Sequence, residues 1–219
     1  MQDQRAPPTR TERRLAPLYD AALSLMTREG RWRQTLAEQV APEAHDIILD
    51  VGCGAGALAI LMARLQPSAS IIGFDSRAPL LEQARARAKE AGVRISFIQA
   101  EADDAGPYTG PHPPTKIVVT LTSVRTTAQK LAHMQIARQI IDPAGVLHVA
   151  DFAPQKTGLM QRLLSAPIET LVSGDVRPSH ASGGEAALLI RAAGFVAVEE
   201  TAMWPTPSGA VSLYRARAS

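Results

Sequence analysis

Ile48-Leu49-Asp50-Val51-Gly52-Cys53-Gly54-Ala55-Gly56, or ILDVGCGAG, is the stretch that decides the fold. It grows out of a short apolar run, Asp46 to Val51, of the kind found where a parallel strand is covered by helices on both faces. The run ends in glycines at alternate positions. It then passes directly into Ala57 to Leu65, a series of strong helix formers that stops before Pro67. Strand, glycine turn and helix in that order open a parallel strand-helix-strand unit. Glycine reaches positive φ without strain and lets a ligand approach the main chain with no side chain in the way.

Working outward, Ser70 to Asp75 closes the unit as a second strand, and the alternation then repeats. A helix from Pro79 to Ala91 stops at Gly92, and strands follow at Arg94 to Gln99 and Lys116 to Leu121, separated by a proline-rich loop through Pro114. A helix over Thr127 to Ile141, a strand Gly145 to Ala150, a helix near Leu159 to Leu171 and a helix Gly184 to Ala193 come next. Phe195 to Glu200 and Ala210 to Ala216 are the last two strands, joined by a short gap that predicts an antiparallel edge hairpin. The expected fold class is α/β: a doubly wound, mostly parallel seven-stranded sheet. Before the first strand, Leu15 to Met26 and Trp32 to Val40 show helical spacing. We expect a flexible tail and helical lid over residues 1–40, and a ligand-binding domain over 41–219 within one domain overall.

Composition narrows the function classes. The 219 residues carry 23 Lys+Arg against 21 Asp+Glu, a net charge of +2, and a single Cys, which rules out an internal disulfide and fits a reducing, cytoplasmic setting. Neither apolar stretch, around Gly56 to Leu65 or Ala186 to Val198, approaches the ~18–20 uninterrupted apolar residues of a membrane span. The start of the chain lacks the apolar core of a signal peptide. With so small a net charge, nucleic acid is disfavoured as a partner. Arg5, Arg10, Arg13, Arg14, Arg28, Arg31 and Arg33 make the N-terminal segment locally basic, a solvated arm or a contact for an anionic substrate or membrane surface.

Two acids give the glycine turn a ligand. In an open parallel sheet ligands bind beyond the carboxyl ends of the strands, where the first strand-to-helix turn faces them. Asp75 ends the second strand, where an acceptor can hold both hydroxyls of a ribose, and Glu101 lies just beyond the third, where its carboxylate and the Ala102 amide can meet an adenine edge. The turn argues against a dinucleotide. A pyrophosphate is served by glycines spaced GxGxxG with few acids nearby, whereas here the spacing is GxGxG and Asp50 stands in front. A carboxylate there repels phosphate and favours an ammonium.

Together, ILDVGCGAG (48–56), IIGFDSRAPLLEQARARAKEAG (71–92) and ISFIQAEADD (95–104) make the chain resemble the class I S-adenosylmethionine-dependent methyltransferases, which have a Rossmann-like fold. The resemblance extends through IARQIIDPAGVLHVADF (136–152), RAAGFVAVEE (191–200) and GAVSLYRA (209–216). The small bacterial ubiquinone/menaquinone-biosynthesis-like and phosphatidylethanolamine-methyltransferase-like enzymes are most similar, including in LAPLYDAAL (15–23). The resemblance implies that S-adenosyl-L-methionine is the cofactor and S-adenosyl-L-homocysteine its product. By the same resemblance Gly52, Cys53, Gly54 and Gly56 lie against the methionine part, Asp50 orients its amine, Asp75 with Ser76 holds the ribose, and Glu101 with Ala102 reads the adenine. Thr120 and Leu121 would face the sulfonium and the acceptor, and Tyr19 is the lid candidate over the methionine end.

The substrate side departs from that pattern. Thr120 to Thr127 carries no His, and the loop Ala105 to Thr115 holds four prolines, so the acceptor is expected only as a small or lipid-like molecule. A non-catalytic cofactor-binding subunit and, third, a dinucleotide-dependent oxidoreductase remain as alternatives. The candidates for a catalytic base are His112, His180 and Asp151. His148 reads as a satisfied polar residue near the sheet edge and His133 as solvated. Cys53 reads as a small packing residue rather than a nucleophile. Trp32 and Trp204 read as packing, and metal ligands are not expected.

Overall fold

The computed structural model describes residues 29–100, 110–121, 126–153, 185–206 and 209–218. The helix expected over Leu15 to Met26 and the one near Leu159 to Leu171 lie outside those residues. Helix α1 (Glu29–Val40) precedes strand β1 (Ile47–Val51); α2 (Ala57–Leu65), β2 (Ser70–Asp75), α3 (Ala78–Glu90) and β3 (Ser96–Gln99) complete the first half. The second half is β4 (Lys116–Leu121), α4 (Thr127–Ile140), β5 (Val146–Ala153), α5 (Glu185–Ala192), β6 (Val196–Thr206) and β7 (Gly209–Arg217).

One seven-stranded sheet runs in the order β3-β2-β1-β4-β5-β7-β6. Strands β1 to β5 are parallel, and β7 lies antiparallel between β5 and β6, the expected edge hairpin. The strand order reverses between β1 and β4, which places the glycine turn at the switch point where ligands bind in such sheets. β6 outruns the predicted end at Glu200 because register shifts on either side of Glu199 and Glu200, with Ala197 at φ 49, break the alternation that marks a strand in sequence.

The pleat divides the core in two. On one face α1, α2 and α3 cover Ile48, Ile71, Val118, Ala150 and Leu213, and on the other α4 and α5 cover Leu49, Val119, Leu147, Val149 and Tyr214. Trp32, Leu36, Ala37 and Val40 of α1 are all buried, so residues 29–40 form part of the sheet's own cover. The helix ends follow local chemistry. α4 starts with a capping box in which Thr126 and Gln129 bond each other's backbone amides, and α3 carries Pro79 in its first turn.

At the opposite end of the sheet from the glycine turn, Asp46 fastens β1 to β4. It accepts hydrogen bonds from Thr115 Oγ1 at 2.6 Å and from Lys116 Nζ at 2.6 Å. Burial works to raise its pKa, but Lys116, Thr115 and the Glu43 amide outweigh it and hold the carboxyl below its ordinary range.

The glycine turn is pinned to β2 through contacts that admit no extra atoms. The amides of Gly52 and Cys53 both donate to the Phe74 carbonyl, at 2.8 and 2.9 Å. A Cβ at Gly73 would lie 2.9 Å from Cys53 Sγ and 2.9 Å from Phe97 Cδ1, so the glycine in mid-strand makes room for the turn. Gly73→Ala should therefore cost about 1–3 kcal/mol of stability by overpacking, read from urea unfolding. An unchanged midpoint would mean that this contact is not tight.

Candidate functional site

The carboxyl ends of β1 and β2 bring together Asp50, the glycine turn and Asp75. Gly52, Gly54 and Gly56 all have positive φ (76, 55 and 78°), the left-handed geometry that disfavours any side chain. Gly56 caps α2, and a Cβ there would lie 3.0 Å from that of Ala84 and 3.1 Å from Phe97 Cζ. The turn thus presents main chain rather than side chains to a ligand.

Asp50 is fully buried, and among the described residues neither carboxylate oxygen has a hydrogen-bond partner. Burial pushes its pKa up to about 7; the Arg33 guanidinium and the nearby Ala59 amide draw it down, and the Asp75 charge pushes it further up. Among the described residues the other buried aspartates are partnered: Asp46 with Lys116, Asp75 with Arg77 and Asp151 with Lys130. A buried carboxylate that lacks hydrogen bonds from the described residues is costly to keep ionised, and a cationic donor group would relieve that cost.

Asp75 is arranged differently. Its Oδ2 accepts from the Gly54 amide at 2.9 Å and its Oδ1 from the Arg77 amide at 2.9 Å. The Arg77 guanidinium straddles both oxygens, Nε to Oδ1 at 3.0 Å and Nη2 to Oδ2 at 3.3 Å. Burial would raise the pKa, yet Arg77 and these amides win and keep the carboxyl ionised below its ordinary range. Ser76, expected beside Asp75, contributes its carbonyl to Gln99 Nε2 at 3.1 Å, and the Ala100 amide donates to the Asp75 carbonyl. The chain leading to Glu101 therefore passes beside the end of β2, while Glu101 and Ala102 themselves lie outside the described residues, as do Tyr19 and His180.

Thr120 and Leu121 take opposite faces at the end of β4. Thr120 is half-buried, with its carbonyl 3.4 Å from where a Gly52 Cβ would sit, whereas Leu121 is buried among Val119 and Met134. Thr120 alone of the two lies on the face that carries Asp50, because successive strand residues alternate. Cys53 is buried against Gly73, and burial followed by the charges of Asp50 and Asp75 drives its thiol pKa upward, as expected of a packing residue and not of a nucleophile.

The expected bases need correction. His112 precedes β4, so it lies at the end of the sheet opposite the glycine turn and not on the substrate side. Asp151 is buried with its carboxylate bound by Lys130 Nζ at 2.9 and 3.0 Å, which leaves it a structural ion pair; burial raises its pKa and Lys130 only partly offsets this. His133, expected in solvent, is buried with its ring bonded to the Gln129 carbonyl. His148 sits in the sheet interior between β4 and β7, its Nδ1 without a hydrogen-bond partner among the described residues, and burial, aided by Lys116 and Arg215, pushes its pKa down to about 4. Sequence reading missed Arg77, although an arginine two residues beyond a strand-end acid is the available signal. Among the described residues no group of side chains is suited to hold a metal ion, and no helix is long and apolar enough to cross a membrane.

The fold is that of a doubly wound α/β protein whose glycine turn, with Asp50 and Asp75 beside it, sits at the switch point of the sheet. The chain belongs to the methyltransferase domain family, which it matches over residues 42–185. A demethylmenaquinone methyltransferase of Thermus thermophilus is 29% identical over 146 residues, 66% of this chain and 65% of that protein. A ubiquinone biosynthesis O-methyltransferase of Klebsiella pneumoniae is 33% identical over 101 residues, 46% of this chain and 35% of that protein. The chain thus spans just under two thirds of one of these relatives and about a third of the other. The magnesium protoporphyrin IX methyltransferase of Synechocystis, solved with S-adenosylmethionine bound, shares the fold at a TM-score of 0.61 and 17% identity, covering 85% of this chain and 79% of that one.

Asp50→Asn should separate stability from binding. A pKa near 7 in the folded chain and about 4 in the unfolded one means that wild-type stability is lost as pH rises between those values, by up to about 4 kcal/mol. The variant should match wild type near pH 4, exceed it in unfolding free energy at pH 8, and bind S-adenosylhomocysteine about tenfold or more weakly. Equal stability at both pH values would contradict the burial argument.

Proposed function

We propose that the chain transfers the methyl group of S-adenosyl-L-methionine to a small, apolar, quinone-like or phenolic acceptor. The observation that carries this reading is the buried Asp50 carboxylate, which has no hydrogen-bond partner among the described residues, set in β1 just before the glycine turn and followed at the next strand end by Asp75. A methionine ammonium would satisfy Asp50, and the uncovered backbone of Gly52 to Gly56 accommodates the methionine chain. The amide-held Asp75 carboxylate suits a ribose diol. Glu101 and Ala102, next in the sequence after Ala100, are read as the adenine contacts.

S-adenosylmethionine supplies an electrophilic methyl group on a sulfonium that leaves as a neutral thioether. The protein's share is to bind, align and exclude water, and alignment alone can furnish effective molarities of about 10⁵–10⁸ M. No side chain among the described residues is assigned as a general base, since Asp151 is bound by Lys130 and His112 is at the wrong end of the sheet. Thr120, on the Asp50 face at the end of β4, borders the place where the acceptor approaches. The quinone-like acceptor is inferred from the names of the relatives, and the segment bearing Tyr19 is read as a cover over the site, with α1 as its fixed base.

Calorimetry with S-adenosylhomocysteine and with NAD, followed by transfer of a labelled methyl group to demethylmenaquinone, tests the proposal. Tight binding of the first ligand only, with product formed, is the expected result. Asp75→Ala should weaken binding by about 1.5–3 kcal/mol. Preference for NAD, or wild-type affinity in Asp75→Ala, would overturn the reading.

A further inference from the structure

We propose that Arg77 is an internal competitor for the ribose-holding carboxylate, a latch that the cofactor must displace to bind. The inference rests on the reading of Asp75 as the ribose acceptor. A carboxylate offers about four lone-pair directions. In this structure four donors converge on Asp75: the Gly54 amide and Arg77 Nη2 on Oδ2, and the Arg77 amide and Nε on Oδ1. A diol needs two of those directions.

The four donors are not equally fixed. The two amides belong to the glycine turn and the start of α3, and they stay with the backbone. The guanidinium stands on a flexible stem, and the Arg77 side chain is 56% exposed while that of Asp75 is only 4% exposed. Arg77 can therefore leave into water, and the ribose hydroxyls can take its two places. The fork geometry makes the latch stronger than a single contact, and exposure to solvent keeps it weak enough to open. When only a fraction of the protein is in the binding-competent state, the apparent dissociation constant rises by the inverse of that fraction. Arg77 thus sets cofactor affinity by lowering it.

The latch is also an ion pair with one member in solvent, so salt weakens it. S-adenosylhomocysteine carries no net charge at neutral pH. Its affinity for the wild-type chain should consequently rise with ionic strength, opposite to the behaviour of a ligand drawn in by long-range attraction.

Calorimetric titration with S-adenosylhomocysteine of the full chain, Arg77→Ala and Arg77→Met, at about 0.05 and 0.5 M salt, tests this. The variants keep the backbone amide that bonds Asp75, and Met keeps the apolar stem. The expected result is binding about three- to tenfold tighter than wild type in both variants at low salt, with the gap narrowing at high salt. Unchanged or weaker binding in both variants would overturn the proposal and make Arg77 a bystander or a cofactor contact. A salt-independent gap would equally count against a latch. The parent reading fails separately: a wild-type chain that binds no S-adenosylhomocysteine, or binds it as well after Asp75→Ala, rejects the ribose assignment itself.

Discussion

A fully buried carboxylate without a hydrogen bond is expensive to keep, and Asp50 has none from the described residues. It sits in β1 one residue before the strand's end, opposite Gly73 of β2 and Val118 of β4, where a nonpolar residue would pack with less cost. The surrounding structure can be understood as what makes that position tenable. β1 is the strand on which the order reverses, the turn that follows it is fastened to the Phe74 carbonyl, and α1 closes over the same face with Trp32 and Leu36. These constraints keep the Asp50 carboxyl out of solvent at the end of β1 where the strand order reverses.

The contrast with the other buried aspartates gives the placement its meaning. Asp46 and Asp151 each meet a lysine, and each fastens one element to another: β1 to β4 at one end of the sheet, β5 to α4 at the other. Removing either lysine would leave a buried charge uncompensated, so these are structural pairs. Asp75 is intermediate, satisfied by two amides and by an arginine that can leave. These four acids therefore grade by who their partners are, from lysine-fastened structural pairs to the Asp50 carboxyl that the proposed reading gives to the cofactor, a distinction that burial alone does not make.

Much of this was legible in the sequence. The apolar run into GxGxG, the helix formers after it and the acid at the next strand end place the turn, the switch point and Asp75, because local propensity and periodicity determine those elements. What was not legible depended on tertiary partners. The Lys130 and Asp151 pairing joins positions far apart in the chain, so Asp151 read as an available base. His133 and His148 are buried by helices and strands whose packing no local pattern reveals. His112 was misplaced because a long proline-rich loop conceals which end of the sheet it has reached. Leu121 was grouped with Thr120, although the strand's alternation alone assigns them to opposite faces.

With its pKa pushed up to about 7, Asp50 is about half protonated at neutral pH in the free protein, and on the proposed reading it becomes a full carboxylate when a cationic ligand arrives. Carbon-detected NMR titration of the Asp50 side-chain carboxyl, in the free protein and with S-adenosylhomocysteine bound, measures this directly. The account predicts titration at about 7 in the free protein, falling to the ordinary carboxylate range near 4 or below in the complex. Titration near 4 in the free protein, or a value that S-adenosylhomocysteine leaves unmoved, would contradict it.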